Sequence, residues 1–407
     1  MTLASFTPGM PGTPDTPDAP ATPTQAAPSP APGAARPYDA LVIGGGVMGC
    51  STALHLARGG MRVALVERGT LCREASGVNA GTLTLHMTRA ALIPYAMRAW
   101  QMWMDAEKWL GMGVLATQAP GLTLAFTEGE CELLTLRAQA RRAQGAPIEI
   151  ITPERARQIE PGLHPGLLMA GYCEIDGYAS AYLTGRAMAH ALKNAGVDVF
   201  QNSPVEVIES GDAGHIVHFD GEQSPLHGRR IVLAGGVWIE NLLAMMGIHI
   251  PIKVLINQLI VTERLRPVMH SVLSVANGLL SLKQFANGTV LIGGGWQGDG
   301  NREQGGLEAR PQNLVGNMRL AAYAVPALAE GRIARVWLGL EAETADALPL
   351  IGDVPGVAHA YVVGSAHSGY TSGPFMGRIM AQHILGQPPD LPLFNPARLL
   401  GMPMPGA

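Results

Sequence analysis

The chain has 407 residues, of which 47% are hydrophobic and 15% charged, and a formal net charge of −4. This composition excludes a wholly disordered chain, and the charge gives no strong attraction to nucleic acid or to an anionic membrane surface. The length points to more than one domain, and four scattered cysteines without a C-x-x-C pair imply reduced thiols, no disulfide framework and no metal site.

Residues 1–36 are rich in Pro, Ala and Thr and lack periodic hydrophobicity. They cannot bury enough surface to offset chain entropy, so a disordered tail is expected there. No basic region followed by an apolar core opens the chain, so no secretory leader is expected. The greasiest region, 231–256, is broken by Glu240, Asn241, His249, Pro251 and Lys253, so no transmembrane segment is expected. A cytoplasmic location follows as an expectation, with peripheral contact with an inner membrane left open.

The globular part begins near Tyr38. Residues 38–43 read as a buried strand, and 50–58 as a helix stopped by Gly59 and Gly60. Residues 62–66 form a second strand that ends on Glu67. Between the first strand and the helix lies Gly44-Gly45-Gly46-Val47-Met48-Gly49, a G-x-G-x-x-G turn. The unit is complete, from strand and glycine turn to helix, strand and closing acid, and it points to an unphosphorylated adenine dinucleotide, FAD or NAD. Gly44 permits the tight turn, Gly46 lets amides approach a pyrophosphate, and Gly49 lets the helix pack close to the strand. The helix N-terminus lends partial positive charge to phosphate, and Glu67 can accept from a ribose hydroxyl while repelling a phosphate there.

Further on, 75–81 is a loop of small residues with one amide side chain, able to approach a flat ring. A long helix is expected over 94–110, and a short one opening at Thr152-Pro153, an N-cap followed by proline in the first turn. A helix over 181–194 is followed by strands at 197–200, 205–208, 215–219 and 230–234, the last closing in Gly235-Gly236 before Trp238. From 251 to 296 the texture becomes alternating, with hairpin signals at Asn277-Gly278 and Asn287-Gly288. A strand near 362 then feeds the glycine loop 364–373 and a helix whose N-terminus turns back to the sheet, where it can stabilise negative charge.

In this order and spacing the four segments resemble the D-amino-acid oxidase superfamily, the group holding glycine oxidase, sarcosine oxidases and D-amino-acid dehydrogenases. The resemblance runs from about Tyr38 to Gly386. It implies an α/β fold (α+β overall), a Rossmann-like FAD-binding domain with an inserted antiparallel-sheet substrate domain. The FAD-binding domain is expected over 37–96, 151–245 and 336–395, and the substrate domain over 97–150 and 246–335. It favours FAD over NAD. Gly44, Gly46 and Gly49, with Val47 and Met48 between them, would hold the pyrophosphate, and Glu67 with Arg68 the ribose end. Ser76, Asn79, Ala80 and Gly81 would line the isoalloxazine. Val205 would meet the adenine through its backbone, Gly236 and Trp238 would close the site, and Gly369, Tyr370 and Thr371 would sit at the flavin ring.

Three departures stand out. Val78-Asn79 occupies the early loop where sarcosine oxidases tether FAD through His, and 338–346 carries no Cys, so noncovalent FAD is expected. The lysine of monomeric sarcosine oxidase has no counterpart, with Thr371 at the matching place, which argues against fast oxidase activity. Glu341 stands where glycine oxidase carries a carboxylate-binding Arg.

The resemblance implies hydride transfer from the C–N bond of an amine or an N-substituted or D-amino acid to flavin N5, giving an imine that hydrolyses. Such chemistry needs positioning and water exclusion more than acid–base groups. His367, Tyr370 and Glu341 are the candidate site groups. Arg89 is a candidate carboxylate clamp, and Trp296 a candidate cavity wall. Two alternatives stay open: a 2-hydroxy-acid dehydrogenase with His367 as base, and a flavin subunit of a larger dehydrogenase complex. The expected partners are a small amine or amino acid and an electron acceptor that is O2, a quinone or a partner subunit. A homo- or hetero-oligomer is compatible with this, and no nucleic acid is expected.

Overall fold

In the computed structural model, residues 36–303, 305–365 and 367–402 are described. The tail expected over 1–36 therefore lies, except for Arg36, outside the described residues. No helix among the described residues is long and apolar enough to cross a membrane.

The nucleotide-binding half is a six-stranded sheet. Its order is Leu350–Asp353, Ala360–Gly364, Ile231–Leu233, Ala40–Ile43, Val63–Val66 and Asp198–Phe200. Every pairing is parallel except the first, where Leu350–Asp353 runs antiparallel at the edge. Ala40–Ile43 is buried at all four positions, as a strand covered on both faces must be. Ala40 and Val42 face a cluster built by the helices Val47–Arg58, Ile93–Met104, Ala181–Asn194 and Gly369–Ile384. Leu41 and Ile43 face the opposite cluster, under a three-stranded meander. From the central strand the chain moves first to one side and later returns on the other, so the crevice at the carboxyl ends of these strands is the expected place for a ligand.

Two helices meet over that crevice. Gly377 in Gly369–Ile384 lies so close to Val47–Arg58 that a Cβ there would stand 2.6 Å from the Met48 carbonyl and 2.6 Å from Ser51 Cβ. The Ser51 hydroxyl also donates to the Pro374 carbonyl, at 2.6 Å. The close crossing brings the N-termini of both helices to the same crevice.

The second half is an eight-stranded sheet ordered Ile333–Glu343, Lys253–Thr262, Val290–Gly293, Ser281–Gln284, Val272–Val275, Gly121–Ala125, Met169–Cys173 and Ile148–Ile151. All pairs are antiparallel except Val272–Val275 with Gly121–Ala125. Both Asn-Gly signals turn hairpins, one joining Val272–Val275 to Ser281–Gln284 and one joining that strand to Val290–Gly293.

Several sequence boundaries shift. The helix expected over 94–110 breaks at Asp105 into Ile93–Met104 and Ala106–Leu110. Both pieces pack into the nucleotide-side cluster through Ala99, Trp103 and Leu110, although 97–110 had been grouped with the substrate half. Met169–Cys173, grouped with the nucleotide half, pairs on both sides inside the eight-stranded sheet. Ile333–Glu343 runs through the expected boundary at 336. Ladder partners far apart in sequence decide these memberships, and no local pattern encodes them. The helix at Pro153–Ile159, capped by Thr152, and the helix Ala181–Asn194 fall where the sequence placed them.

Candidate active site

Gly44 takes φ +115, and a side chain there would collide with the Ala234 carbonyl; Gly49 lies against the Gly44 carbonyl. Bare backbone at these two positions lets the first turn fold tightly between the two central strands. The helix Val47–Arg58 opens at Gly46 with no side-chain cap. Its Val47 N–H instead donates to Ser76 Oγ, at 3.0 Å. Glu67 is fixed by two amides, Gly45 N–H to Oε2 at 2.7 Å and Gly69 N–H to Oε1 at 2.8 Å. A carboxylate so held keeps lone pairs for a ribose hydroxyl.

Two cavities run along this crevice and share the walls at Gly46, Ser76, Ala234 and Gly236. One, of about 390 Å³, is lined by Gly44, Glu67, Arg68, Val205 and Trp238. The Arg68 guanidinium stacks 3.4 Å over the Trp238 ring. The other, of about 470 Å³, is lined by Val47, Met48, Asn79, Ala80, Gly339, Glu341, His367, Gly369, Tyr370 and Thr371. The first offers an acid and an aromatic that could take an adenosine end. The second offers small-residue backbone and a helix N-terminus that could take a flat ring. A dinucleotide bent over Gly46 could reach both, and the space beside Gly46 is open, with only Ser76 Oγ, at 3.2 Å, near the place of a Cβ.

A scan against family models matches residues 39–383 to DAO, FAD dependent oxidoreductase. This chain belongs to that family. As a member of the DAO family it is an enzyme, and FAD is its cofactor. It is 27% identical to glycine oxidase of Geobacillus kaustophilus (strain HTA426) over 84% of this chain and 92% of that protein. It is 28% identical to an opine oxidase subunit of Agrobacterium tumefaciens (strain Ach5) over 85% and 93%. The crystal structure of glycine oxidase from Geobacillus kaustophilus superposes with a TM-score of 0.81 at 24% identity, covering 91% of this chain and all of that one. That superposition supports the fold alone.

The polar centre of the ring-side cavity is a chain of four side chains. His367 Nδ1 lies 2.9 Å from Glu341 Oε1. Asn257 Nδ2 donates to Glu341 Oε2 at 2.6 Å, and Gln297 Nε2 donates to Asn257 Oδ1 at 2.6 Å. Sheet register explains the second contact: Glu341 pairs with Leu255, so Asn257 is its diagonal neighbour on the same face. Burial pushes the Glu341 carboxyl up, but His367, Asn257 and the Ser368 N–H outweigh it and hold the group below the usual carboxylate range. Contact with Glu341 raises the His367 imidazolium above its ordinary value, against a smaller downward push from burial. The loop carrying His367 is bent by left-handed backbone at Ser365 and Ser368, φ 55 and 63. Such conformations cost energy outside glycine and cluster where a site needs them.

Several expected roles change. Tyr370 lines the cavity, but its hydroxyl is 2.7 Å from Thr184 Oγ1 and its ring stacks on Trp103 at 4.7 Å. It is a packing residue whose phenol burial keeps protonated, not a free polar group. Gly81 does not line the cavity; it turns with φ +67 against the Ala179 carbonyl. Asn79 folds its own loop, donating to the Ala75 and Ser76 carbonyls and accepting from Gly81 N–H. Arg89 is tied to Glu343 at 2.7 Å and to the Ala347 carbonyl, so it is no clamp. Trp296 donates to the Leu279 carbonyl and packs beside Gly316, away from the cavity wall.

Sequence reasoning missed four features. Asn257 and Gln297 needed the register. Lys283 is fully buried, its Nζ 3.0 Å from Thr82 Oγ1, and burial lowers it to about 7. Thr371 Oγ1 donates to the carbonyl of that same Thr82, at 2.8 Å. A lysine, charged only towards lower pH, therefore does stand one residue from Thr371, where the sequence found none. His86, which lines the cavity, is in direct contact with Asp176 behind it, and both are buried. Arg141, buried, and Arg137, exposed, line the same cavity. Their signal was in the sequence: Leu134, Ala138 and Arg141 share the buried face of an otherwise polar helix.

Proposed function

We propose that this enzyme oxidises the C–N bond of an amine or an N-substituted or D-amino acid to an imine, which water hydrolyses. The observation that carries the reading is the Glu341–His367 pair at the ring-side cavity wall. It offers a fixed, charge-balanced surface for orienting a donor, with no free base poised to take a hydroxyl proton. FAD, when bound, accepts the hydride that leaves the donor carbon.

The chain's own residues do the rest. Gly339, packed 2.9 Å from Val78 Cγ2 at the site of its missing Cβ, brings the long strand against the early loop and narrows the cavity. Leu255, Leu259 and Leu340 make its wall apolar beside the polar centre, which excludes water from the reacting bond. Glu341 holds His367 in one orientation. The relatives named for glycine and opine oxidation support the same class of donor.

A 2-hydroxy acid would need its hydroxyl proton removed. His367 is the candidate base, and Glu341 keeps that imidazole protonated to higher pH than usual, when it has no lone pair to offer. The deciding experiment is anaerobic titration of the purified flavoprotein with matched panels of amines, amino acids and 2-hydroxy acids. Bleaching of the flavin by amines, with hydroxy acids inert, is expected. Bleaching by hydroxy acids alone would overturn the proposal. Electron transfer onward to O2, a quinone or a partner subunit is compatible with it, and reoxidation assays with each acceptor distinguish them.

A further inference from the structure

The wall of the ring-side cavity holds an arginine with no ion-pair partner among the described residues. Arg141 is buried, 9% exposed, and its Nε donates to the Thr88 carbonyl at 2.7 Å. Among the described residues its two terminal nitrogens have no protein acceptor, and no carboxylate lies within ion-pair distance. The nearest acid that acts on it, Asp176, is already taken by His86 and by the Leu85 N–H at 2.5 Å. Arg137, one turn earlier on the same helix and exposed, lines the same cavity and donates to the Ala276 carbonyl at 2.7 Å. It too has no carboxylate partner among the described residues. Burial first, then the like charge of Arg137, lowers Arg141 to about 10, so it still carries its charge at neutral pH.

A buried, unpaired guanidinium is costly, and folds pair such groups unless a ligand does so. Its planar fork matches a carboxylate. We propose that Arg141, supported by Arg137, is a carboxylate-binding subsite, and that the substrate is an amine or N-substituted amino acid with a carboxylate reaching away from the reacting C–N bond to this part of the cavity wall. The class of the reacting end rests on the function proposed above; the carboxylate subsite does not.

The test is a binding measurement on the FAD-loaded enzyme, independent of turnover. The probes are ω-(methylthio)alkanoates with two to four methylenes and their carboxamides, which carry no C–N bond to a methyl or methylene carbon. Binding is read from perturbation of the flavin spectrum and by calorimetry. In the wild type at least one carboxylate should bind about ten- to a hundredfold tighter than its amide, as expected for a charge-assisted pair. Arg141→Met should abolish that preference, Arg141→Lys should keep part of it, and Arg137→Gln should reduce it. His367→Gln should leave it in place. Equal binding of every acid and amide by the wild type would overturn the subsite, whether or not any variant folds. So would a preference that survives in FAD-loaded Arg141→Met or disappears only in His367→Gln. If the subsite stands while no amine bleaches the flavin, the function proposal fails and the subsite does not.

Discussion

Glu341 Oε1 stands 2.9 Å from His367 Nδ1, while Glu341 Oε2 accepts from Asn257 Nδ2 at 2.6 Å. His367 Nδ1 makes no hydrogen bond among the described residues, and its contact with Glu341 favours the charged imidazolium. Both carboxylate oxygens are committed within the protein. Glu341 therefore organises a histidine, and each of its oxygens already has a partner within the protein.

Glu341→Gln should accordingly act on all substrates alike. Without the carboxylate, burial and Arg89 lower His367 against Glu343 alone, the smallest of these influences, and its protonation should move to lower pH. The pH profile of kcat/KM should shift its corresponding limb in that direction, with kcat/KM lowered about ten- to a hundredfold for every amine tested. The stability contributions have opposite senses. The lowered Glu341 contributes stability above its ordinary value of 4.5 and loses it as pH falls through the folded value. The raised His367 contributes below 6.5 and loses it as pH rises through its folded value. The pair thus stabilises most between these two ordinary values, and the melting-temperature loss of Glu341→Gln should be greatest there. A defect confined to cationic substrates would contradict this account.

FAD should be released intact by acid. Val78 and Asn79 occupy the early loop, and Asn79 spends its amide on the loop's own backbone. No cysteine lines the ring-side cavity. Acid precipitation should leave a yellow supernatant with the spectrum of free FAD, and flavin retained in the pellet would refute the expectation.

Lys283 should govern both stability and reaction with oxygen. Burial holds it at about 7 against an ordinary 10.5, so between these values the folded state binds fewer protons than the unfolded one. Stability should therefore rise with pH across that window and be lowest below it. Lys283→Met should flatten the rise and raise Tm near pH 7, by roughly 1 °C for each kcal/mol recovered in a chain of this length. Reoxidation of reduced enzyme by air should be faster at pH 6, where the lysine is charged, than at pH 9, and slow at both in Lys283→Met. A pH-independent rate, unaltered by the substitution, would separate Lys283 from the oxygen reaction.

The sequence made the nucleotide crevice legible because one local unit carries it. The strand, Gly44, Gly46, Gly49 and Glu67 lie within 30 residues, and each role follows from backbone geometry that reads directly from residue type. The ring-side cavity was less legible. Asn257 reaches Glu341 through a ladder whose register spans 84 residues, and Lys283 reaches Thr82 across 201. Tyr370 was misread because its partners, Thr184 and Trp103, come from two other helices. Loop composition identified which segments meet the ring, while pairing between distant strands decided which polar atoms face it.

The helix crossing at Gly377 should be as important for FAD binding as the glycine turn. A Cβ at Gly377 would press 2.6 Å from the Met48 carbonyl and 2.9 Å from Thr52 N, both rigid backbone. Gly377→Ala should push the helices apart, separating the two N-termini that converge on the crevice, with an overpacking cost of about 1–3 kcal/mol. The alanine also favours the helix intrinsically by up to about 1 kcal/mol, so any net loss is attributable to the crossing. Gly129 supplies the control: it lies in Glu128–Ala143 with nothing within 4 Å of its missing Cβ. Gly129→Ala should stabilise by about 0.5–1 kcal/mol and keep full flavin content. Gly377→Ala should lower Tm and the FAD-to-protein ratio together. Unchanged flavin content in a destabilised Gly377→Ala would mean the crossing supports the fold without setting the cofactor site.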